Sequence, residues 1–225
     1  IFQQYKEAVT AFEEKCQIGE NDSYVCSLLR SDSVEEFISY CNKTNLSLLS
    51  KILSSIYETH AFLIDKEPTL IEYAAFFGSI QIIQYLKYNK VPLTPSLWLY
   101  AIHSNNIELI KFLAENGVRP ENKNVKSSFG FVQKTNFKNP FDNIIEESIK
   151  CHHNALSNYI KDNFYEKVDD QNCFYDKFTE TIANSFNFYF YPNEVESIIC
   201  KQKNLSGFKL YQLCFSLTQI TIPSS

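Results

Sequence analysis

The hydrophobic pattern of residues 69–86 returns at residues 96–113. In the first stretch Leu70, Ile71 and Tyr73 to Phe77 lead through Gly78 to Ile80, Ile82, Ile83, Tyr85 and Leu86. In the second, Leu97 to Ile102 lead through Asn105 to Ile107, Leu109, Ile110, Phe112 and Leu113. Ala74 matches Ala101 and Leu86 matches Leu113, a separation of 27 residues. A fixed period of this size marks an array of stacked supersecondary units. Each unit reads as a short helix, a tight turn and a second short helix. The apolar residues of the second segment share one broad face. One unit cannot cover that face alone, so neighbours must stack on it.

Local signals agree with this reading. Thr69, Ser96 and Asn143 occupy one common position and are good helix N-caps. Thr69 with Glu72, and Asn143 with Glu146, have the spacing of capping boxes. Gly78 and Asn105 tolerate the left-handed backbone of a C-cap. Ala74 and Ala101 are small where two helices must approach closely. A weaker third copy runs from Asn143 through Ser148 and His152 to Leu156, Tyr159 and Ile160. Ser148 lies 47 residues after Ala101, which is the period plus an insertion placed at about residues 120–140. Ser33 and Glu36 suggest a further capping box in an upstream half-copy.

Residues 1–16 read as an amphipathic helix carrying Phe2, Tyr5, Val9 and Phe12 at helical spacing. Further helical patterns cover about 22–30, 33–41 and 46–58. The expected organisation is a helical N-terminal cap (1–60), repeats (61–165) and an aromatic-rich C-terminal segment (166–225). Within that segment Phe186, Phe188, Tyr189, Phe190 and Tyr191 crowd together. A strand, a buried helix and an exposed strip all fit them; the favoured reading is a divergent further repeat. Leu210 to Cys214 then start another helix pair, and an uncapped apolar end offers a route to self-association.

The run from Thr69 to Gly78 resembles the ankyrin signature T-P-L-H-x-A-A-x-x-G. The likeness rests on Thr69, Ala74, Ala75, Gly78, Ile82, Ile83 and Leu86, and continues through Ala101, Leu109, Ile110, Leu113 and Gly117. Residues 28–160 are similar to a divergent ankyrin group expanded in parasitic protists (trichomonad-like), which carries a domain of unknown function. The resemblance implies an all-α, ankyrin-type helix-turn-helix solenoid with reduced or absent β-hairpin fingers. The period of 27 falls short of the usual value of about 33, so connections such as Lys90 to Pro95 should be short. Glu72, Leu99 and Glu146 stand where the signature has His, which removes its usual bonds between repeats.

Composition narrows the function classes. The 225 residues are 44% apolar and 21% charged, as in a globular chain. A net charge of −5 argues against a general nucleic-acid binder. Arg30 and Arg119 are the two arginines, in keeping with AT-rich codon usage. Met is absent even at position 1, which points to a fragment or a processed chain. No secretory signal opens the sequence, and no apolar run nears the roughly 18 residues of a membrane span. Seven cysteines without a C-x-x-C favour reduced thiols and a cytoplasmic setting, with the nucleus as an alternative. The sequons at Asn21, Asn42, Asn45 and Asn204 are expected by chance in so Asn-rich a chain.

The resemblance implies protein binding through the turn tips and the exposed ends of the first helices. The matching positions are Phe76, Phe77, His103, Ser104, Lys150 and Cys151, with Asn89, Asn116 and Asn163 at the second-helix ends. Phe76 and Phe77 are the strongest candidate anchors; packing against a neighbouring helix is the competing reading for each. Trp98 is expected in the core. The inserted loop carries Lys123, Lys126, Lys134 and Lys138 with Phe129, Phe131 and Phe137. It suits an acidic peptide or a single strand, although a solvated insertion is the favoured reading. Cys151, His152 and His153 invite a metal or nucleophile, but neighbours on a helix diverge by about 100° and a metal site needs three or four converging ligands. No Gly-rich phosphate loop occurs. The expected function is a non-catalytic scaffold or adaptor without metal or cofactor, binding an unidentified protein on its concave face. Two alternatives are a substrate-recruiting part of a larger multidomain protein, and nucleic-acid association through residues 121–138.

Overall fold

The chain forms helices where the pattern returns every three to four positions, and the computed structural model describes residues 2–121, 139–165, 174, 177–187 and 189. Two compact units divide between Glu121 and Asn122, and each is described by itself. In the first unit α1 (Phe2–Ile18) precedes three helix pairs: α2 (Tyr24–Arg30) with α3 (Val34–Thr44), α4 (Leu70–Phe77) with α5 (Ile80–Tyr88), and α6 (Leu97–His103) with α7 (Ile107–Glu115). The second unit holds α8 (Asp142–Lys150) with α9 (Asn154–Phe164), followed by α10 (Thr179–Asn184). The architecture is all-α. Among the described residues the one β feature is an isolated antiparallel bridge between Lys51 and Thr69.

A left-handed residue ends the first helix of each of the four pairs, and ends α10 as well. Asp32, Gly78, Asn105, His152 and Phe186 all have positive φ, between 50° and 76°. At four of the five the next residue then bonds back to the helix it has left; after Asn105 the Asn106 backbone amide bonds to the Ser104 hydroxyl at 3.3 Å instead. Ser33, Ser79, His153 and Asn187 donate to the carbonyls of Leu28, Ala74, Ser148 and Ile182, at 3.2, 2.9, 2.9 and 3.0 Å. This is the Schellman closure, which satisfies a carbonyl that the helix itself leaves open. It recurs at second-helix ends: Leu46, Val91 and Val118 donate to Cys41, Leu86 and Leu113. Val91 and Val118 are buried, which supplies the apolar contact that accompanies the motif.

Small residues let the first helices stack. Ala74 and Ala101 are completely buried, and α4 packs on both α2 and α6. Ser148 holds the same place in α8, also fully buried, its hydroxyl donating to the Ile145 carbonyl at 2.7 Å. The second helices supply the other wall: Ile82, Ile83 and Leu86 of α5, and Leu109, Ile110 and Leu113 of α7, have no exposed surface. Each such side chain contributes roughly 1.5–3 kcal/mol through burial. Trp98 is fully buried as expected and donates its indole N–H to the Val118 carbonyl at 3.0 Å.

Polar side chains tie consecutive pairs together. The Asp32 carboxylate accepts from the amides of Gln81 and Ile82 at 3.1 and 2.9 Å, so the turn of one pair caps the second helix of the next. Ser79 donates to the Leu29 carbonyl, and the Asn106 amide donates to the Gly78 carbonyl at 3.4 Å. In the second unit Asn187, buried, donates to the Ile149 carbonyl at 2.8 Å, and α10 packs on α8. Thr69 and Glu72 form the expected capping box. Glu72 also accepts from the Ser96 hydroxyl at 2.6 Å, so this Glu makes a bond between pairs of its own.

Four expectations are corrected. Residues 46–58 are not helical: two extended segments pair here, Ile52 donating to Pro68 at 2.7 Å and Leu70 to Ser50 at 3.1 Å. Apolar spacing in that stretch reflects burial of single residues such as Ile52, while Leu53 and Ile56 face solvent. Asn143 lies inside α8 and does not cap it; the helix starts at Asp142, whose carboxylate reaches back to the Asn139 amide at 3.4 Å. Ser96 is itself in helical conformation and makes no side-chain cap, its hydroxyl being directed to Glu72. Ser33 opens the second helix of its pair without a side-chain cap, so no capping box forms with Glu36.

Two substitutions test this register. Ala101→Leu should destabilise the chain by roughly 1–3 kcal/mol through overpacking. Gly78→Ala should cost about 1–2 kcal/mol, because its backbone is left-handed and the added Cβ would lie 3.1 Å from Ser104 Cβ. Urea unfolding followed by circular dichroism measures both; an unchanged midpoint for either contradicts the assigned packing.

Candidate functional site

The candidate surface in the first unit is the C-terminal end of α4 and α6. Tyr73, Phe76 and Phe77 lie on α4, one turn apart or adjacent, and Tyr100 and His103 lie one turn apart on α6. Phe76 is only 6% exposed, which corrects its expected role as an open anchor. Its cover is the connection before α4. The His60 ring meets Phe76 edge-on at 4.6 Å, and the Phe62 ring lies parallel to it at 5.9 Å. Phe62 also touches Tyr100 at 5.1 Å and His103 at 4.1 Å. Phe77 is half-buried against Tyr73 at 4.9 Å and has the Arg30 guanidinium 6.0 Å from its ring.

Burial sets the protonation of this face. Burial first, then the neighbouring His103, holds His60 below its ordinary value, so it packs as a neutral ring at pH 7. Burial, and next Glu72, pushes the Tyr100 phenol up to about 12. Tyr73 is raised for the same leading reason, and its hydroxyl accepts from Arg30 at 3.0 Å. Arg30 is fixed in turn by Glu20 at 2.7 Å and by the Asn21 carbonyl at 2.9 Å. These phenols therefore stay protonated and serve packing.

The asparagines at the second-helix ends turn inward to their own helices. Asn89, Asn116 and Asn163 donate their side-chain amides to the carbonyls of Tyr85, Phe112 and Tyr159, four residues back, at 2.9, 2.7 and 2.8 Å. Thr44 does the same to Tyr40 at 2.8 Å. Each of these side chains satisfies a terminal carbonyl, and Asn116 also accepts from Lys87. Their recurrence in the sequence therefore has a structural cause. Ser104 is likewise turned to its own backbone, donating to the Ala101 carbonyl at 2.8 Å and accepting from the Asn106 amide at 3.3 Å.

In the second unit Lys150 is exposed and pairs with Glu146 at 2.9 Å and Glu147 at 3.7 Å. His152 adopts the left-handed turn that ends α8, and Cys151 is half-buried. Burial, with Glu147 beside it, pushes the Cys151 thiol up to about 11, away from thiolate and nucleophile chemistry. The lysines and phenylalanines of the 121–138 loop lie outside the described residues, as do Phe188, Phe190, Tyr191 and the 210–214 segment. Of the aromatic strip, Phe186 occupies a left-handed turn and Tyr189 is exposed.

Sequence reasoning missed His60 and Phe62. An aromatic pair flanking Ala61 inside a connection, just upstream of a repeat, was the available signal. Comparison with protein-family models, curated proteins and solved structures returned no match to this chain. The ankyrin likeness therefore rests on its residues alone. Among the described residues no helix is long and apolar enough to cross a membrane.

Thiol accessibility checks the burial assigned here. Under native conditions near neutral pH, iodoacetamide should modify the exposed Cys16 at least about tenfold faster than the fully buried Cys26 or the half-buried Cys151. Peptide mapping by mass spectrometry reads the order; equal rates at the three sites would contradict it.

Proposed function

We propose that this chain is a non-catalytic, cytoplasmic protein-binding scaffold built as an ankyrin-type array of helix pairs. The observation that supports this most is the repeated pair itself. The first helices of all four pairs end at a left-handed residue, and α2, α4 and α6 pack in succession. Such arrays present side chains from a rigid frame, so a partner binds with little loss of conformational freedom.

The partner face in this reading is the row of turn tips and first-helix ends. Phe77 and Ser104 are half-exposed on neighbouring turns there, and a Cβ built on Gly78 would lie 3.1 Å from Ser104. The test is affinity capture from host lysate with wild type beside a Phe77→Ala, Ser104→Arg double variant. A protein captured by wild type should then bind it directly in titration, with affinity for the variant lowered at least about tenfold. Circular dichroism should show the variant folded. Equal binding of a validated partner to a folded variant removes this face from the proposal.

A further inference from the structure

The connection between α3 and α4 carries a segment, residues 60–66, whose rings are seated on the ends of α4 and α6. We propose that the Phe76, Tyr100 and His103 face is a receptor for an aromatic side chain followed by a basic one. Phe62 and Lys66 fill it as an internal stand-in for a partner segment of that chemistry. The inference rests on the scaffold reading above only in taking the partner to be a protein.

The receptor is built from three rings on two helices. Phe62 lies parallel to Phe76, edge-on to Tyr100 at 84° and close over His103. Offset-parallel and edge-on contacts are the favoured geometries for aromatic pairs. The cation is part of the motif: Lys66 Nζ sits 3.1 Å from the Phe62 ring centre and 5.9 Å from that of Tyr100. An ammonium over a ring face is held by the ring quadrupole. A chain with net charge −5 favours a basic partner over an acidic one at long range.

The segment is attached as a ligand would be. Its backbone bonds close locally: Leu63 and Ile64 donate to the His60 carbonyl at 2.8 and 3.0 Å, and Lys66 donates to Leu63 at 3.1 Å. Ala61, Ile64, Asp65 and Lys66 are exposed, and the backbone turns at Asp65 with φ 61°. A cavity of about 210 Å³ separates Leu63 to Lys66 from Ile52, Pro68 and Tyr73. Leu63 is buried within the segment, and on either side Thr59 donates to the Gly19 carbonyl at 3.0 Å and Ile52 donates to Pro68 at 2.7 Å. Release of the Phe62 ring from the face therefore has to occur with Leu63 and both flanking anchors in place.

The test uses a fluorescent peptide with the sequence Tyr57 to Glu67, titrated into the full chain. A tethered segment has an effective concentration of about millimolar, so wild type should show no saturable binding below that. Phe62→Ala in the chain empties the receptor, and the peptide should bind it at least tenfold more tightly than wild type. A peptide with Phe62 replaced by Ala should fail to bind either. Phe62→Leu keeps apolar bulk and gives the same readout if the alanine chain does not fold. A folded variant that ignores the peptide overturns the proposal, and so does unfolding of both variants, which would make Phe62 a core residue. Successful capture of a partner by the scaffold test, with failure of the peptide here, removes this inference and leaves that one standing.

Discussion

Everything in the described helices depends on how one helix hands over to the next. A helix of seven to nine residues cannot stand alone, because its nucleation is costly and its end groups are unsatisfied. In this chain a left-handed residue lets the following amide bond back to a carbonyl five residues earlier. The chain reverses at once, and the second helix starts against the first. Glycine meets this need at Gly78, but Asp32, His152 and Phe186 meet it too; Asn105 is also left-handed, yet there the Asn106 backbone amide bonds to the Ser104 hydroxyl instead. Four of the five accept a backbone strained for an L-residue, so packing around the turn overrides local preference.

The same turn provides the links between pairs. Because it places polar atoms beside the next pair, Asp32 can cap α5, and Asn106 can reach the Gly78 carbonyl. Glu72 adds a second line of connection through Ser96. Each bond of this kind is worth only about 0.5–1.5 kcal/mol, far less than the burial of α5 and α7. Their effect is on register: they set which turn lies beside which, and hence which side chains share a face. Leu99 cannot take the acceptor role of Glu72, and Ser96 besides bonding to Glu72 shares only a local hydrogen bond with Thr94 at 2.8 Å.

The connection from residue 45 to residue 69 changes what this framework presents. A bare array would leave the ends of α4 and α6 open. Here His60 and Phe62 lie on them, and the excursion is pinned by Thr59 on Gly19 and by the Lys51–Thr69 bridge. The ends of α4 and α6 are therefore already in contact, with rings of the same chain.

The sequence alone located α1 to α9 and the pairing of α4 to α9, but neither α10 nor the extended course of residues 46–58. Its 27-residue beat located α4 to α7, and the small residues at Ala74, Ala101 and Ser148 marked where first helices approach. Gly78, Asn105 and His152 marked the turns, because apolar period and steric tolerance are local properties of residues near in sequence. Tertiary structure decided what is exposed. Phe76 has the same local pattern whether open or covered, and only the return of residues 60–62 buries it. Asn89, Asn116 and Asn163 recur as a recognition row would, yet their amides close their own helices. Residues 46–58 carry helical spacing, but pairing of Ile52 with Pro68 and Leu70 with Ser50 holds the connection extended. For Phe76 and for residues 46–58 the deciding partner is a ring or carbonyl distant in sequence, and for the asparagines it is a carbonyl of their own helix; the spacing of apolar residues carries no information about either.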